Sequence, residues 1–101
     1  NIEKSTIIPE KFVLFQNYPN PFNPETNIKY QIPVPTFVTL EIFNMVGQRV
    51  RTLVDEQQRA GYYSVMWNGK NDQQIQVSTG MYFYVLKTNH FRAIKKLLLI
   101  Q

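Results

Sequence analysis

The 101 residues predict one domain, because single domains cluster around ~100–150 residues. Hydrophobic residues make up 44% of the chain and charged residues 18%, a balance that argues against wholesale disorder. The absence of cysteine excludes disulfides, thiolate catalysis and cysteine-based zinc sites. The net charge of +4 lies entirely in residues 87–101, because residues 1–86 carry seven basic and seven acidic side chains.

Apolar and polar residues alternate along much of the chain, which predicts half-buried β-strands. The predicted strands are residues 12–16, 26–32, 37–43, 49–54, 61–68, 81–88 and 92–100. About seven short strands with turn signals between them are typical of an antiparallel β-sandwich. The lone Trp67 is expected to bury its ring in the core of such a sandwich.

Turn residues mark the connections between the predicted strands. Residues 44–48 form a predicted hairpin turn in which Gly47 is free to take a positive φ. Residues 55–61 are polar and predict a connection, and Asn68 with Gly69 is a strong turn signal before the polar loop over residues 70–78.

The most unusual stretch is residues 17–24, where prolines alternate with asparagines. Each proline fixes its own φ and holds the preceding residue extended, so the segment should be rigid. The asparagine side chains are expected to bond to nearby backbone amides, with Tyr18 and Phe22 packed beneath the turn. The residues assigned to structural turns are Tyr18, Pro19, Pro21, Phe22, Pro24 and Gly47. The functional alternative is a Pro-x-x-Pro ligand, Pro21 to Pro24, for an aromatic groove.

Taken in chain order, several blocks of the sequence resemble the C-terminal sorting domain of type IX secretion, type A. The blocks are residues 12–24, 27–33, 41–50, 60–63, 67–70, 78–84 and 95–99. Their order and spacing carry the resemblance, which covers residues 12–101. Residues 1–11 then correspond to a linker to a missing upstream domain, and cleavage is expected there because proteases need an accessible chain.

The resemblance implies an Ig-like sandwich akin to the Ig-like domain of the flagellar hook-capping protein (FlgD). It implies a non-catalytic secretion signal that passes through the periplasm and takes a covalently linked cargo to the outer membrane, the cell surface or the medium. The implied partners are the type IX translocon and a sortase that removes the domain. No cofactor is implied, and the domain is expected to be a monomer.

In the family, the recognition elements fall toward the C-terminal end. The corresponding residues here are Gly80, Tyr82, Lys95, Lys96, Leu97, Leu98 and Leu99. Two alternatives stay open for Lys95 and Lys96, which are either edge-strand charges that block aggregation or contacts to an acidic receptor. One departure from the family is visible, because Gln74 and Gln76 stand where it usually has glycine and then proline, and a different local turn is expected.

Other classes of function are poorly supported. Four terminal basic residues give little basis for nucleic-acid binding, and an apolar run of four residues, Leu97 to Ile100, is far short of the ~20 needed to span a membrane. Asn68, Asn71 and Asp72 suit an Asx turn better than a calcium site, and His90 lacks a catalytic partner. The rival class is an Ig-like accessory or adhesion module, including a glycan-binding one, that stays on a secreted enzyme.

Overall fold

The computed structural model describes residues 7–100, which form seven β-strands in two antiparallel sheets, with no helix among them. The strands are β1 Val13–Leu14, β2 Thr26–Ile32, β3 Thr36–Phe43, β4 Arg49–Gln58, β5 Gly61–Trp67, β6 Gly80–Lys87 and β7 Arg92–Leu99. This architecture confirms the predicted all-β, Ig-like sandwich. The first part of the predicted linker, residues 1–6, and Gln101 lie outside the described residues.

The smaller sheet has the strand order β1-β2-β5, and the larger sheet has the order β4-β3-β6-β7. The basic C-terminal strand β7 is therefore an edge strand, paired along its whole length with β6. The register runs without interruption from the pair of Lys87 with Arg92 to the pair of Gly80 with Leu99. An uninterrupted register means that alternate residues of β7 share one face and one backbone orientation.

The core lies between the sheets and is formed by every second residue of the strands. In β2 the burial alternates strictly, with Ile28, Tyr30 and Ile32 inside and their neighbours outside or half-buried. The largest fully buried side chains are Trp67, Tyr30, Tyr84, Phe22, Ile28, Ile32, Leu40, Ile42, Leu86, Leu97, Leu99 and Val38. The burial of Trp67 confirms its predicted place in the core.

The predicted connection over residues 55–61 is wrong, because β4 continues to Gln58. The last residues of β4 pair with the first residues of β3, from Thr36 with Gln58 to Thr39 with Asp55. This part of an edge strand is largely exposed, so it has no apolar face to produce the alternation by which a strand is recognised. At the N-terminus, β1 is shorter than predicted and comprises only Val13–Leu14.

Asparagine side chains shape the turns at residues 44–48 and 68–76. Asn44 Oδ1 accepts hydrogen bonds from the N–H groups of Val46 and Gln48, at 3.0 Å each, and Gly47 has φ +86° as predicted. Asn71 Oδ1 likewise accepts from the N–H groups two and four residues later. Asp72 accepts from the Thr52 N–H at 3.1 Å. These oxygens of Asn71 and Asp72, weighed above as calcium ligands, are thus engaged in holding the loop.

Gln74 is the one non-glycine residue with a positive φ (65°) among residues 7–100. Its N–H donates to the Asn71 carbonyl at 2.9 Å, which closes the turn. The left-handed conformation costs an L-residue about 1–2 kcal/mol, whereas glycine adopts it readily. The position at which the resembled family usually has glycine therefore still has a dihedral angle that glycine favours. The expectation of a different local turn stays a prediction.

Gln74→Gly is expected to raise the free energy of unfolding by about 1 kcal/mol, because the left-handed strain disappears. Urea denaturation of the parent and the variant measures the change. Gln73→Gly is the matched control, since Gln73 is an exposed neighbour without a positive φ, and it should lower stability by about 0.5–1 kcal/mol. An equal loss in both variants would contradict the strain at Gln74.

Candidate functional site

The two parts of the predicted recognition element lie side by side on β6 and β7. Gly80 is paired with Leu99, Met81 with Leu98, and Tyr82 with Leu97. Residues that are 15 to 19 positions apart in the sequence thus form one antiparallel ladder. The ladder brings together the glycine–tyrosine element and the terminal leucines.

Most of the apolar residues of this ladder are inside the sandwich. Tyr82, Leu97 and Leu99 are buried, and the Tyr82 hydroxyl donates to the Ser78 carbonyl at 2.6 Å. Leu98 and Met81 lie on the outer face, where Leu98 is half-buried and Met81 is exposed. A partner could therefore contact Met81 and Leu98 directly, whereas Tyr82, Leu97 and Leu99 hold the ladder in place from inside the core.

Gly80 is required by its backbone conformation. Its φ of +155° is one that L side chains rarely adopt, while a Cβ built there would meet no atom within 4 Å. The requirement for glycine at position 80 therefore comes from the dihedral angle and not from a lack of space. The angle belongs to the first residue of β6, directly after the loop that ends at Ser78 and Thr79, so it sets where the ladder begins.

The two candidate lysines point to opposite faces of β7. Lys95 is half-buried on the core side, opposite Tyr84, and Lys96 is exposed on the outer face, opposite Phe83. Successive residues of a strand alternate in this way, although both lysines border one cavity at the edge of β7. Of the two, Lys96 is placed to meet a partner that approaches the outer face.

The proline-rich turn is docked against the end of β7. Phe22 N–H donates to the Leu98 carbonyl and Ile100 N–H donates to the Phe22 carbonyl, both at 3.0 Å. Asn20 Oδ1 accepts the Leu98 N–H at 3.0 Å. The Asn20 side chain therefore bonds a residue 78 positions away, and the prediction that it bonds a nearby amide is wrong. A local rule cannot anticipate a partner that the fold brings from the other end of the chain.

Phe22 is buried as predicted, whereas Tyr18 is 80% exposed and its predicted packing beneath the turn is wrong. Tyr18 exchanges backbone hydrogen bonds with Asn27 at 3.0 and 2.9 Å, which holds it extended. Because Asn17 is buried beside it, the next side chain along an extended segment points outward. The Phe22 ring lies 5.5 Å from that of Trp67. The middle of the Pro-x-x-Pro segment is thus locked in the core, which favours its structural interpretation.

One proline of the turn, Pro21, lines a cavity of about 280 Å³ where the turn meets β7. Its walls include Asn20, Pro21, Met81, Lys96 and Leu98. Pro19 and Pro24 are also exposed, and the peptide bonds before all three prolines of the turn are cis. The cavity thus joins the predicted turn residues to the accessible part of the predicted recognition element.

Tyr84 makes a structural contact whose partners the sequence does not predict. Its hydroxyl accepts the Asn17 N–H at 2.8 Å and donates to the Phe15 carbonyl at 2.7 Å. Burial raises the pKa of Tyr84 to about 12, against a lowering effect of the hydrogen bond from Asn17. The alternation of β6 could have placed Tyr84 inside, but nothing local could name its partners. The tyrosine links β6 to the start of the turn.

The remaining titratable groups of the described residues form no cluster suited to metal binding. Among residues 7–100, no group of three or more His, Cys, Asp or Glu side chains could hold a metal ion. His90 is exposed, and its ring centroid lies 6.2 Å from that of Phe12. The described part of the chain also includes no helix long and apolar enough to cross a membrane.

Residues 23–90 match the family model of the FlgD Ig-like domain. The chain belongs to this family. The match covers β2 to β6, so β1, β7 and most of the proline-rich turn lie outside it. The FlgD Ig-like match therefore includes the β6 part of the candidate site, Gly80 to Tyr82, and leaves out the part on β7 and most of the turn. No curated protein matches the chain.

Two solved structures have a similar fold. A crystal structure of dimeric latent PorU from Porphyromonas gingivalis has a TM-score of 0.68 at 17% identity, over 94% of this chain and 10% of that one. PorZ, described as an essential bacterial surface component of the type IX secretion system of the same organism, has a TM-score of 0.57 at 15% identity, over 89% of this chain and 11% of that one. The chain thus spans about a tenth of each, and these similarities show the fold.

Tyr84→Phe should lower the free energy of unfolding at pH 7 by about 1–3 kcal/mol, because the Asn17 N–H and the Phe15 carbonyl lose their partner. Chemical denaturation measures the loss. Tyr62→Phe is the matched control, since Tyr62 is 61% exposed, and its effect should stay within about 0.5 kcal/mol.

The same variant should also change the dependence of stability on alkaline pH. A tyrosine whose pKa is about 10 unfolded and about 12 folded contributes fully below pH 10, and its contribution is lost as pH rises to 12. Tyr84→Phe should therefore reduce the fall in stability between pH 10 and 12 by about 2–3 kcal/mol. If stability falls equally steeply with pH in the parent and the variant, the Tyr84 hydroxyl is not buried in its neutral form.

Proposed function

We propose that this FlgD Ig-like domain is a non-catalytic C-terminal sorting domain, which directs a cargo protein through the outer-membrane machinery of type IX secretion. The observation that carries the proposal is the fold shared with one domain of PorZ, an essential surface component of that system. The ordered blocks of sequence from residue 12 onward support it independently.

The cargo would be covalently linked upstream of residues 1–11, and any catalytic activity would belong to the cargo. The domain would fold in the periplasm as a monomer and engage the translocon. A sortase would then remove it as the cargo reaches the outer membrane, the cell surface or the medium. The domain has no cysteine, which suits this route because no disulfide has to form before the domain is recognised.

The accessible part of the site supports recognition of a folded surface. Asn20, Met81, Lys96 and Leu98 line the cavity between the turn and β7, while Leu97 and Leu99 anchor the strand in the core. An apolar wall beside one exposed cation suits a partner with an apolar residue next to a carboxylate. The elements that resemble the family's recognition residues thus divide into a contact surface and its internal support.

The test is export of a fluorescent reporter that carries a cleavable signal and this domain in a bacterium with type IX secretion. The parent fusion should reach the medium or the cell surface, and Lys96→Glu should reduce export by roughly tenfold through like-charge repulsion with the receptor. Lys29→Glu is the control, since Lys29 is exposed on the other sheet. Deletion of residues 95–101 is a poorer test, because it removes buried Leu97 and Leu99 from the core.

Retention of an intact, folded parent fusion in the periplasm would overturn the sorting function. Mass analysis of the exported reporter adds a second measurement, because a sorting signal should be absent from the released product. A domain that is exported but always retained would instead support the Ig-like accessory module.

A further inference from the structure

The backbone groups of β7 that point away from β6 can be assigned from three hydrogen bonds. The Leu98 N–H and carbonyl bond to Asn20 and Phe22, and the Lys96 carbonyl accepts from Gln16 Nε2 at 2.7 Å. Residues 96 and 98 therefore direct their polar backbone groups to the free edge. Because the register of β7 has no bulge, Ile94 has the same orientation.

This free edge is bonded to the turn at one end, whereas its other end has unbonded backbone groups within the described residues, with β1 and the Gln16 side chain close by. Within residues 7–100, no hydrogen bond reaches the outward N–H and carbonyl of Ile94, or the N–H of Lys96. From residue 98 onward, the edge is covered by Asn20 and Phe22. The open part, residues 92–96, would be about 17 Å long at ~3.4 Å per residue. An added strand would have to stop where Asn20 begins.

The charges along this open edge select for an acidic partner. Arg92, Lys95 and Lys96 lie on or beside it, and residues 87–101 include no carboxylate. Two β7 edges from two copies would bring these cations together, which disfavours self-pairing. The carboxylates Asp55 and Glu56 lie on the other edge strand, β4, and pair regularly with β3, but the register of β4 shifts twice further along, at Leu53 and at Val50. Such bulges twist an edge away from regular pairing.

The outer face beside the open edge is apolar. Ile94 is 53% exposed, and it lines a cavity of about 350 Å³ together with Phe43, Phe83 and Val85. Lys87 and Arg92 are at the same cavity, together with one carboxylate, Glu41, whose Oε2 lies 3.6 Å from Arg49 Nη1. A strand added next to β7 would place every second side chain over this face, some 4.8 Å from Ile94. An apolar residue would fit there, with acidic residues near the cations.

We propose that the edge of β7 from Arg92 to Lys96 is a docking site for an extended, acidic segment of a protein partner, which adds to the larger sheet as a fifth strand. Main-chain hydrogen bonds to Ile94 and Lys96 provide the attachment, and the cations and the apolar face select the sequence. If the proposed sorting function holds, this partner belongs to the secretion machinery.

The binding test uses the 101-residue chain and two synthetic heptapeptides, one alternating glutamate with valine and one alternating lysine with valine. The acidic peptide should shift the NMR signals of the Ile94 and Lys96 amides, and its affinity should fall as salt rises. Binding of the lysine peptide with equal affinity, or shifts confined to other strands, would overturn the proposal.

Ile94→Pro removes the outward N–H at a position where an edge strand tolerates proline. This substitution should lower the affinity for the acidic peptide by at least about tenfold. Ser64→Pro is the matched control. Lys29, the β2 partner of Ser64, directs its backbone groups toward the β1 side of the sheet. The backbone N–H of Ser64 therefore points to the free edge of β5, where proline is likewise tolerated. If Ile94→Pro fails to fold, the double variant Arg92→Glu with Lys96→Glu tests the proposal instead. This double variant should bind the lysine peptide more tightly than the acidic peptide. An unchanged preference would overturn the proposal.

Two further measurements separate this docking site from the sorting function and from self-assembly. If the parent reporter is exported and a folded Ile94→Pro reporter is exported equally well, the machinery is not the partner, although the sorting function stands. If the parent reporter is not exported, the sorting function fails, and the peptide titration still decides the edge. Sedimentation should show a monomer, and association that Asp55→Lys abolishes would overturn the proposal in favour of a second copy.

Discussion

Phe22 is held in two ways, by its ring in the core and by its backbone at the edge of β7. Its ring packs in the core against Trp67, 5.5 Å away, and its backbone bonds to Leu98 and Ile100 on the edge of β7. The turn that carries it is tied to the smaller sheet by the backbone pair of Tyr18 with Asn27. A single segment therefore connects the smaller sheet, the core and the last strand of the larger sheet.

This connection divides the edge of β7 into two parts with different properties. The part near Leu98 is covered by the turn and forms a cavity wall, while the part around Ile94 keeps its hydrogen-bonding groups free within the described chain. The basic residues that give the chain its net charge flank the open part. The family match covers residues 23–90, so β7 and most of the turn lie outside it.

The sequence predicts those parts of the fold that depend on neighbouring residues. The bounds of β2, residues 26–32, are correct because its alternation is strict, and Gly47 has the positive φ that its turn requires. The end of β4 was missed because exposed edge residues leave no alternation. The bonds of Asn20 and Tyr84 were missed for another reason, since their partners lie 78 and some 67 positions away. Such contacts arise only when the fold brings distant segments together.

Amide hydrogen exchange along β7, followed by NMR, tests the division of this edge most directly. The Leu98 amide is bonded to Asn20 Oδ1, and the Ile94 amide points the same way but has no hydrogen-bond partner among residues 7–100. After correction for intrinsic rates, the account predicts that Leu98 exchanges at least about 100-fold more slowly than Ile94, because local opening must first break its bond to the turn. Equal protection at Leu98 and Ile94 would contradict the account.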